Sequence, residues 1–182
     1  MKACVVGAGA IGGILAARLA HAGHEVSAIA RGAHLQAIQE RGLTLKWAGE
    51  QFTVDIRATS DASDMEPQDY VILTVKAPAL PGIAPSLMPL LGPQTTIVTA
   101  MNGVPWWFCH ALTGPLAGRT LSSTDPNGLL GETLTRDRLL GCVVHAGASV
   151  PEPGVVDHAA GNQFIVGDAG RHLSAPASVL AE

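Results

Sequence analysis

A glycine-rich segment between a short apolar run and an alanine-rich stretch constrains the fold of this chain more than any other feature. The apolar run ends at Val6, and the segment that follows reads Gly7-Ala8-Gly9-Ala10-Ile11-Gly12. In a strand-turn-helix unit, the first glycine of this spacing permits a tight turn, the second leaves room for a pyrophosphate, and the third lets the helix pack closely on the sheet. The helix N-terminus then offers unpaired N–H groups to an anion. The sequence therefore predicts a dinucleotide-binding unit at the start of the chain.

The residue after the second predicted strand, residues 25–30, indicates which dinucleotide binds. NAD-binding proteins usually have Asp or Glu there to accept hydrogen bonds from the ribose hydroxyls, whereas this chain has Arg31. A guanidinium matches a 2′-phosphate in charge and in geometry. We therefore expect NADP(H) rather than NAD(H) as the cofactor. The alternative is an ordinary surface arginine after a strand.

Composition and charge favour a compact α/β protein and exclude several other classes. The chain has 182 residues, of which 47% are hydrophobic and 14% charged, and its net charge is −4. This length suffices for one domain with a sizeable core, or for one domain and the start of another. No basic stripe is available for a nucleic-acid backbone. We expect a small-molecule substrate and no nucleic-acid partner.

The cysteines and the N-terminus indicate the compartment. Cys4, Cys109 and Cys142 are odd in number and lie in apolar stretches, which is typical of core residues in a reducing compartment. The pair Cys109-His110 has no second cluster at metal-ligand spacing, so we expect no metal site. The N-terminus lacks the features of a signal peptide, and no apolar segment is long enough to cross a bilayer. We therefore expect a cytoplasmic protein that does not contact a membrane.

Further strand and helix patterns follow the first unit. A helix is expected over residues 33–41, a hairpin over 43–47 and 52–58, a buried strand over 69–75, and another strand over 95–100. Five prolines between residues 78 and 93 predict a short or distorted helix. Pro105 suits the first turn of a helix through residues 106–108.

The C-terminal third predicts an antiparallel extension of the sheet. Residues 141–150, 155–159 and 163–166 have the pattern of three short strands, joined by tight turns at 151–154 and at Gly161-Asn162. A new helical pattern begins at residue 168. We expect a Rossmann-like doubly wound parallel sheet with this extension over residues 1–168, and the truncated start of a helical domain over 169–182.

Taken together, these motifs resemble the ketopantoate reductases (2-dehydropantoate 2-reductases) over nearly the whole chain. Besides the glycine segment and Arg31, the resemblance rests on short motifs at corresponding places: Val75-Lys76-Ala77, Asn102-Gly103-Val104, Glu152-Pro153-Gly154 and Gly161-Asn162. It implies hydride transfer from NADPH to 2-dehydropantoate to give pantoate, a step towards pantothenate and coenzyme A. It also implies an all-helical domain that follows the cofactor domain and closes over the substrate.

The resemblance also implies roles for individual residues. Lys76 would lie along the cofactor as a further cation, and Asn102 would lie near the nicotinamide and the substrate. Ala148 would lie near the nicotinamide ribose, although the alignment slips by one residue at Gly147. The alternatives are a solvated lysine at a strand end and a plain Asn-Gly turn residue.

Histidine side chains are also candidates for a proton donor, because histidine often acts as a general acid. His110, His145 and His158 lie outside the positions of the family motifs. His145 falls within a predicted strand, where we expect a half-buried packing residue.

The resemblance places the acid catalyst, a lysine, in the helical domain, which we expect to be absent here together with most substrate contacts. No catalytic residue is therefore expected in this chain, which supports cofactor binding more strongly than turnover. Three interpretations remain: the N-terminal part of a ketopantoate reductase, a different 2-hydroxy-acid or opine dehydrogenase, and a non-catalytic NADP(H)-binding module. Apolar surface left uncovered would favour self-association, with a homodimer as one outcome.

Overall fold

The structure is a computed structural model that describes residues 1–134, 139–168 and 175–181. In these parts nine strands form one sheet in the order β4-β3-β9-β8-β7-β6-β1-β2-β5. The strands are β1 (Lys2–Val6), β2 (Glu25–Ile29), β3 (Leu43–Trp47), β4 (Glu50–Val54), β5 (Arg57–Thr59), β6 (Gln68–Leu73), β7 (Leu91–Ala100), β8 (Leu139–Glu152) and β9 (Val155–Asp168). The run β5-β2-β1-β6-β7-β8 is parallel throughout and has the order of a doubly wound Rossmann sheet.

Helices cover both faces of the sheet. They are α1 (Ala10–His21), α2 (Gly32–Arg41), α3 (Leu80–Ile83), α4 (Leu129–Thr133) and α5 (Ala175–Ala181). Alternate residues of β1 enter two separate cores. Ala3 and Val5 pack with α1, α2 and α5, whereas Cys4 and Val6 pack with α3 and α4. This alternation is the period of two that a sheet buried on both faces requires.

The antiparallel extension is confirmed, and it includes the early hairpin. β9 pairs antiparallel with β8, and β3 then pairs parallel with β9. The hairpin partner β4 forms the outer edge. The prediction of one continuous strand over residues 52–58 is wrong. β4 ends at Val54, and β5 is a separate strand that pairs with β2 at the opposite edge of the sheet.

The connection between β4 and β5 shows that the sheet curves around α1. Only Asp55 and Ile56 join these two edge strands, and so short a link spans at most about 11 Å. A flat sheet of nine strands would separate its edges by roughly 38 Å. The extension therefore bends back, and the His21 ring of α1 lies 4.2 Å from the Phe52 ring of β4. α1 is enclosed between the parallel sheet and its extension.

The three short strands predicted in the C-terminal third are two strands of 14 residues each. Gly161-Asn162 is a bulge in β9 rather than a turn, because the register shifts by one residue between His145 and Gly147 of β8. Gly161 has φ +68°, a conformation that glycine adopts without strain. A tight turn and a bulge both use glycine in this conformation, so the Gly161-Asn162 pattern did not distinguish them.

The predicted helix through residues 106–108 is wrong. Trp106 is buried in the core beside α4, and the ring of Trp107 lies against Gly141 of β8. Only a 3-10 turn, Phe108–Ala111, follows. Adjacent helical residues point about 100° apart, so a regular helix would not hold both indoles against the sheet.

Other predictions are confirmed. The proline-rich segment forms α3 between 3-10 turns at Ala77–Ala79 and Ala84–Leu90, as a distorted helix should. The three cysteines are buried and free. Burial raises the pKa of the Cys4 and Cys142 thiols to about 11, so both stay protonated at neutral pH.

The helical pattern predicted from residue 168 is present in part. α5 packs on the sheet through Ala177, and the Tyr70 hydroxyl donates a hydrogen bond of 3.0 Å to the carbonyl of Pro176. Residues 169–174 and 182 lie outside the described residues, and the domain division after residue 168 stays a prediction. Among the helices in the described ranges, none has the length and apolar character to cross a membrane.

The bulge predicts a specific cost for Gly161→Ala. A Cβ at Gly161 would lie well inside contact distance of the His145 carbonyl oxygen, whereas a Cβ at Gly23 would meet nothing within 4 Å at a similar φ of +87°. Gly23→Ala should therefore lose about 1 kcal/mol from backbone strain alone. Gly161→Ala should lose a further ~1–3 kcal/mol from the clash. Urea denaturation of both variants measures the difference, and equal losses would contradict the bulge geometry.

Candidate functional site

A cleft of about 490 Å³ opens at the carboxyl ends of β1 and β2 and beside the residues that follow β6. The strand order reverses between β1 and β6, and open α/β sheets bind ligands at such a reversal. The lining residues come from the ends of β1 and β2, from the loops after β1, β2, β5 and β6, from α2, from the proline-rich segment and from β8: Val6, Gly7, Ala8, Gly9, Ile29, Ala30, Arg31, His34, Ser60, Val75, Ile83, Ser86, Leu87 and Val150.

The glycine segment presents the N-terminus of α1 to this cleft. Gly9 is the N-cap of α1, with no side-chain capping bond and no acidic residue in the first turn. The first helical N–H groups, at Ala10, Ile11 and Gly12, have no carbonyl one turn earlier within the helix. The positive end of the helix dipole adds to them, so this end of the cleft suits an anion.

The three glycines of the motif meet three different constraints. Gly7 has φ +95°, and a Cβ there would lie 2.7 Å from Cγ1 of Val75. A Cβ at Gly12 would lie 2.5 Å from Oγ1 of Thr74 and even closer to the Gly7 carbonyl oxygen. A Cβ at Gly9 would meet no protein atom within 4 Å and would project into open space. The first and third glycines are therefore required by the protein itself, whereas the second leaves room for a ligand.

Arg31 lies on the wall of the cleft directly after β2. It is exposed and has an extended backbone, with φ −142°, as the N-cap of α2. Among the described residues, no carboxylate forms an ion pair with its guanidinium. The charge is therefore available to a ligand.

Two side chains that sequence reasoning missed hold the carbonyls of the glycine segment. The Thr74 hydroxyl, after β6, donates a hydrogen bond of 2.7 Å to the Gly7 carbonyl. Nε2 of His34, in the first turn of α2, lies 2.7 Å from the Ala8 carbonyl oxygen. Neither residue carries a sequence signal, because both contacts depend on how distant segments pack.

The remaining predicted site residues lie outside this cleft. Lys76 is exposed and follows Val75 at the start of a 3-10 turn. Asn102 lines a smaller pocket with Ala77 and Leu80. Ala148 lies on β8 opposite His158 and packs against the core around α1. The cofactor roles of these three residues stay predictions.

The Asn102 side chain bonds to the main chain of β8. Its amide donates a hydrogen bond of 2.9 Å to the carbonyl of Val144, and its oxygen accepts one of 2.9 Å from the Val144 N–H. A carboxamide has a second N–H and a second lone pair, so one donor and one acceptor remain. These two bonds, which differ from the turn role considered for Asn102, orient the exposed remainder of the amide.

The three histidines considered as donors are separated in the structure. His158 is 3% exposed, and Nδ1 lies 3.2 Å from the Arg18 guanidinium. His110 belongs to the 3-10 turn after Trp107. His145 is exposed on the outer face of β8, opposite Gln163, so the expectation of a half-buried packing residue is wrong: the layer beside α4 does not extend over this part of β8. Within the described ranges, no group of three or more His, Cys, Asp or Glu residues could hold a metal ion.

Comparison with known proteins shows the family of this chain. Residues 3–106 match the family described as "Ketopantoate reductase PanE/ApbA". A 2-dehydropantoate 2-reductase of Mesorhizobium japonicum is 43% identical over 100% of this chain. A Ralstonia solanacearum MolK2 structure assigned to the ketopantoate reductases has a TM-score of 0.94 and 45% identity over 99% of this chain. A PanE/ApbA family ketopantoate reductase of Ralstonia eutropha JMP134 has a TM-score of 0.75 and 27% identity over 100% of it.

The match covers about half of each relative. This chain spans 56% of the length of the Mesorhizobium japonicum protein, 56% of the Ralstonia solanacearum chain and 52% of the Ralstonia eutropha chain.

The packing of the glycine segment predicts opposite sensitivities at Gly9 and Gly12. Gly9→Ala should change the free energy of unfolding by less than about 1 kcal/mol, because the new methyl group faces open space at an N-cap. Gly12→Ala should destabilise the fold by about 2–3 kcal/mol, because its methyl group meets backbone. Urea denaturation of the two variants measures this. A Gly12→Ala protein as stable as Gly9→Ala would show that α1 does not pack as described.

Proposed function

This chain belongs to the ketopantoate reductase family, and we propose that it binds NADP(H) and provides the cofactor-binding part of an NADPH-dependent reduction of 2-dehydropantoate to pantoate. The observation that carries the proposal is the cleft at the strand-order reversal, which has an uncapped helix N-terminus and an unpaired arginine on its walls. Free, buried cysteines fit a reducing cytoplasm as the place of this reaction.

The residues present fit a dinucleotide phosphate in two places. The open space over Gly9 and the first N–H groups of α1 suit a pyrophosphate. Arg31 suits a 2′-phosphate, since a guanidinium donates two parallel hydrogen bonds to a phosphate. No acidic side chain lines the described cleft that would accept from both ribose hydroxyls of NAD(H).

NADPH would supply the hydride for the ketone, and this chain's residues would bind and orient NADPH. Val75 and the backbone of Gly7 and Gly9 form one wall along which the cofactor can lie. Lys76 follows that wall and would add positive charge beside it. The remaining donor and acceptor of Asn102 would contact the substrate or the nicotinamide amide, held in orientation by the two bonds to Val144.

The described cleft offers no free proton donor for the ketone oxygen. Its ionisable side chains are Arg31 and His34. A guanidinium does not give up its proton in proteins, and both ring nitrogens of His34 are already bonded to backbone. Negative charge that develops on the oxygen during hydride transfer needs a positioned donor. We therefore assign to these residues the binding and orientation of the cofactor. The proton donor then lies outside the described cleft.

The first test is the choice between the two cofactors. The protein should bind NADPH more tightly than NADH, and Arg31→Ala should weaken NADPH binding by about 10- to 100-fold, because a charge-assisted contact contributes about 1.5–3 kcal/mol. NADH binding should change little. Calorimetric titration measures both affinities. Arg119→Ala, which removes an exposed arginine outside the cleft, is the control for net charge, and equal affinities of the unmodified protein for both cofactors would contradict the proposal.

The second test concerns turnover by the 182-residue polypeptide alone. NADPH oxidation with 2-dehydropantoate should be slow or undetectable, since no described cleft residue protonates the product oxygen. The near-ultraviolet absorbance of NADPH follows the reaction. Rapid oxidation that Asn102→Ala abolishes would show that a donor lies within these residues and would overturn this division of roles.

A further inference from the structure

His34 connects two segments that are distant in the sequence. Its ring lies 2.7 Å, through Nε2, from the Ala8 carbonyl oxygen of the glycine segment. On the other side, the Gly154 N–H, in the turn between β8 and β9, donates a hydrogen bond of 3.0 Å to Nδ1. His34 also lines the cleft, together with Val150 of β8. One imidazole on the wall of the proposed cofactor site therefore joins the glycine segment to the β8–β9 turn.

The backbone partners determine the tautomer of this imidazole. A backbone N–H only donates, so Nδ1 must accept from Gly154 and carries no proton. In the neutral ring the proton is then on Nε2, which donates to the carbonyl of Ala8. His34 is thus an acceptor on one side and a donor on the other.

The bond to Ala8 completes the restraint of the glycine segment. The Gly7 carbonyl is already held by the Thr74 hydroxyl and by the Gly9 N–H, both at 2.7 Å. The bond from His34 fixes the next peptide group, between Ala8 and Gly9. Carbonyl oxygens near an anion are repulsive, so donors that hold them in place preserve the arrangement in which N–H groups face the cleft.

The turn on the other side does not depend on His34 for its position. A Cβ at Gly154 would lie 3.0 Å from Cβ of Ala37, and the Gly154 carbonyl accepts a hydrogen bond of 2.9 Å from the Thr44 N–H. The Arg41 guanidinium also donates to the Pro153 carbonyl at 3.3 Å. The turn is therefore a fixed support, and the glycine segment is the part that His34 restrains.

We propose that His34 is a positioning residue for the cofactor: it holds the Ala8 carbonyl against the fixed β8–β9 turn, keeps the glycine segment in its anion-binding conformation, and thereby strengthens NADPH binding. This inference rests on the proposed function for its ligand. The structural part of the inference, that His34 restrains the glycine segment, applies to the cofactor-free protein as well.

The test compares three variants of the full 182-residue chain. His34→Ala removes both bonds, His34→Gln keeps one donor and one acceptor, and Gln36→Ala removes an exposed side chain from the same helix as the control. Calorimetry gives the dissociation constant for NADPH. Amide hydrogen exchange in the cofactor-free protein reports on residues 8–13.

We expect His34→Ala to weaken NADPH binding about tenfold, the loss of roughly one hydrogen bond, and to speed exchange in residues 8–13. His34→Gln should recover part of the affinity, and Gln36→Ala should match the unmodified protein. Nitrogen-15 spectra of the unmodified protein should show an unprotonated Nδ1 in His34. This last measurement applies even if His34→Ala fails to fold.

The contradicting outcomes are distinct. An unmodified protein that binds no NADPH would overturn the proposed function, while the exchange and nitrogen-15 data would still test the restraint. Normal affinity in His34→Ala would overturn the inference. Weaker binding with unchanged exchange in residues 8–13 would also overturn it, since His34 would then act by direct contact with the cofactor. A proton on Nδ1 would contradict the bond from Gly154.

Discussion

The position of α1 depends on two glycine residues that let it approach its surroundings more closely than any side chain would allow. At Gly12 the helix meets the Gly7 carbonyl and the Thr74 side chain, and at Gly13 it meets Val156 of β9. The first contact sets the helix on the parallel sheet, and the second sets it against the extension. Because the sheet curves around α1, an error at this helix would displace both β1 and β9, and with β1 the cleft at its carboxyl end.

This packing also explains why the cleft is suited to an anion. A helix fixed this closely to the strand before it directs its first N–H groups at the point where the strand order reverses. Gly9 keeps that point open, and Thr74 and His34 hold the neighbouring carbonyls on hydrogen-bond donors. The suitability of this end of the cleft for an anion thus comes from backbone groups, and Arg31 adds an unpaired positive side chain on its wall.

The parts of the fold that the sequence predicted well are those determined by neighbouring residues. β1, the glycine turn, α1 and β2 follow each other within thirty residues, and each has a local signal. The helix at Trp106 and Trp107 was predicted wrongly because both indoles pack on residues far along the chain. The bulge at Gly161 was read as a turn because only its pairing with β8 distinguishes the two. The bonds of His34 and Asn102 were missed for the same reason, since their partners are distant backbone groups.

The central claim is that the N-terminus of α1 binds the pyrophosphate of NADP(H). The most direct measurement follows the backbone amide resonances of the nitrogen-15-labelled protein as NADPH is added. The account predicts that the largest shifts fall on Ala10, Ile11 and Gly12 and on the amides around Arg31. Shifts confined to the outer face of β8 and β9, with the amides of residues 9–12 unchanged, would contradict it.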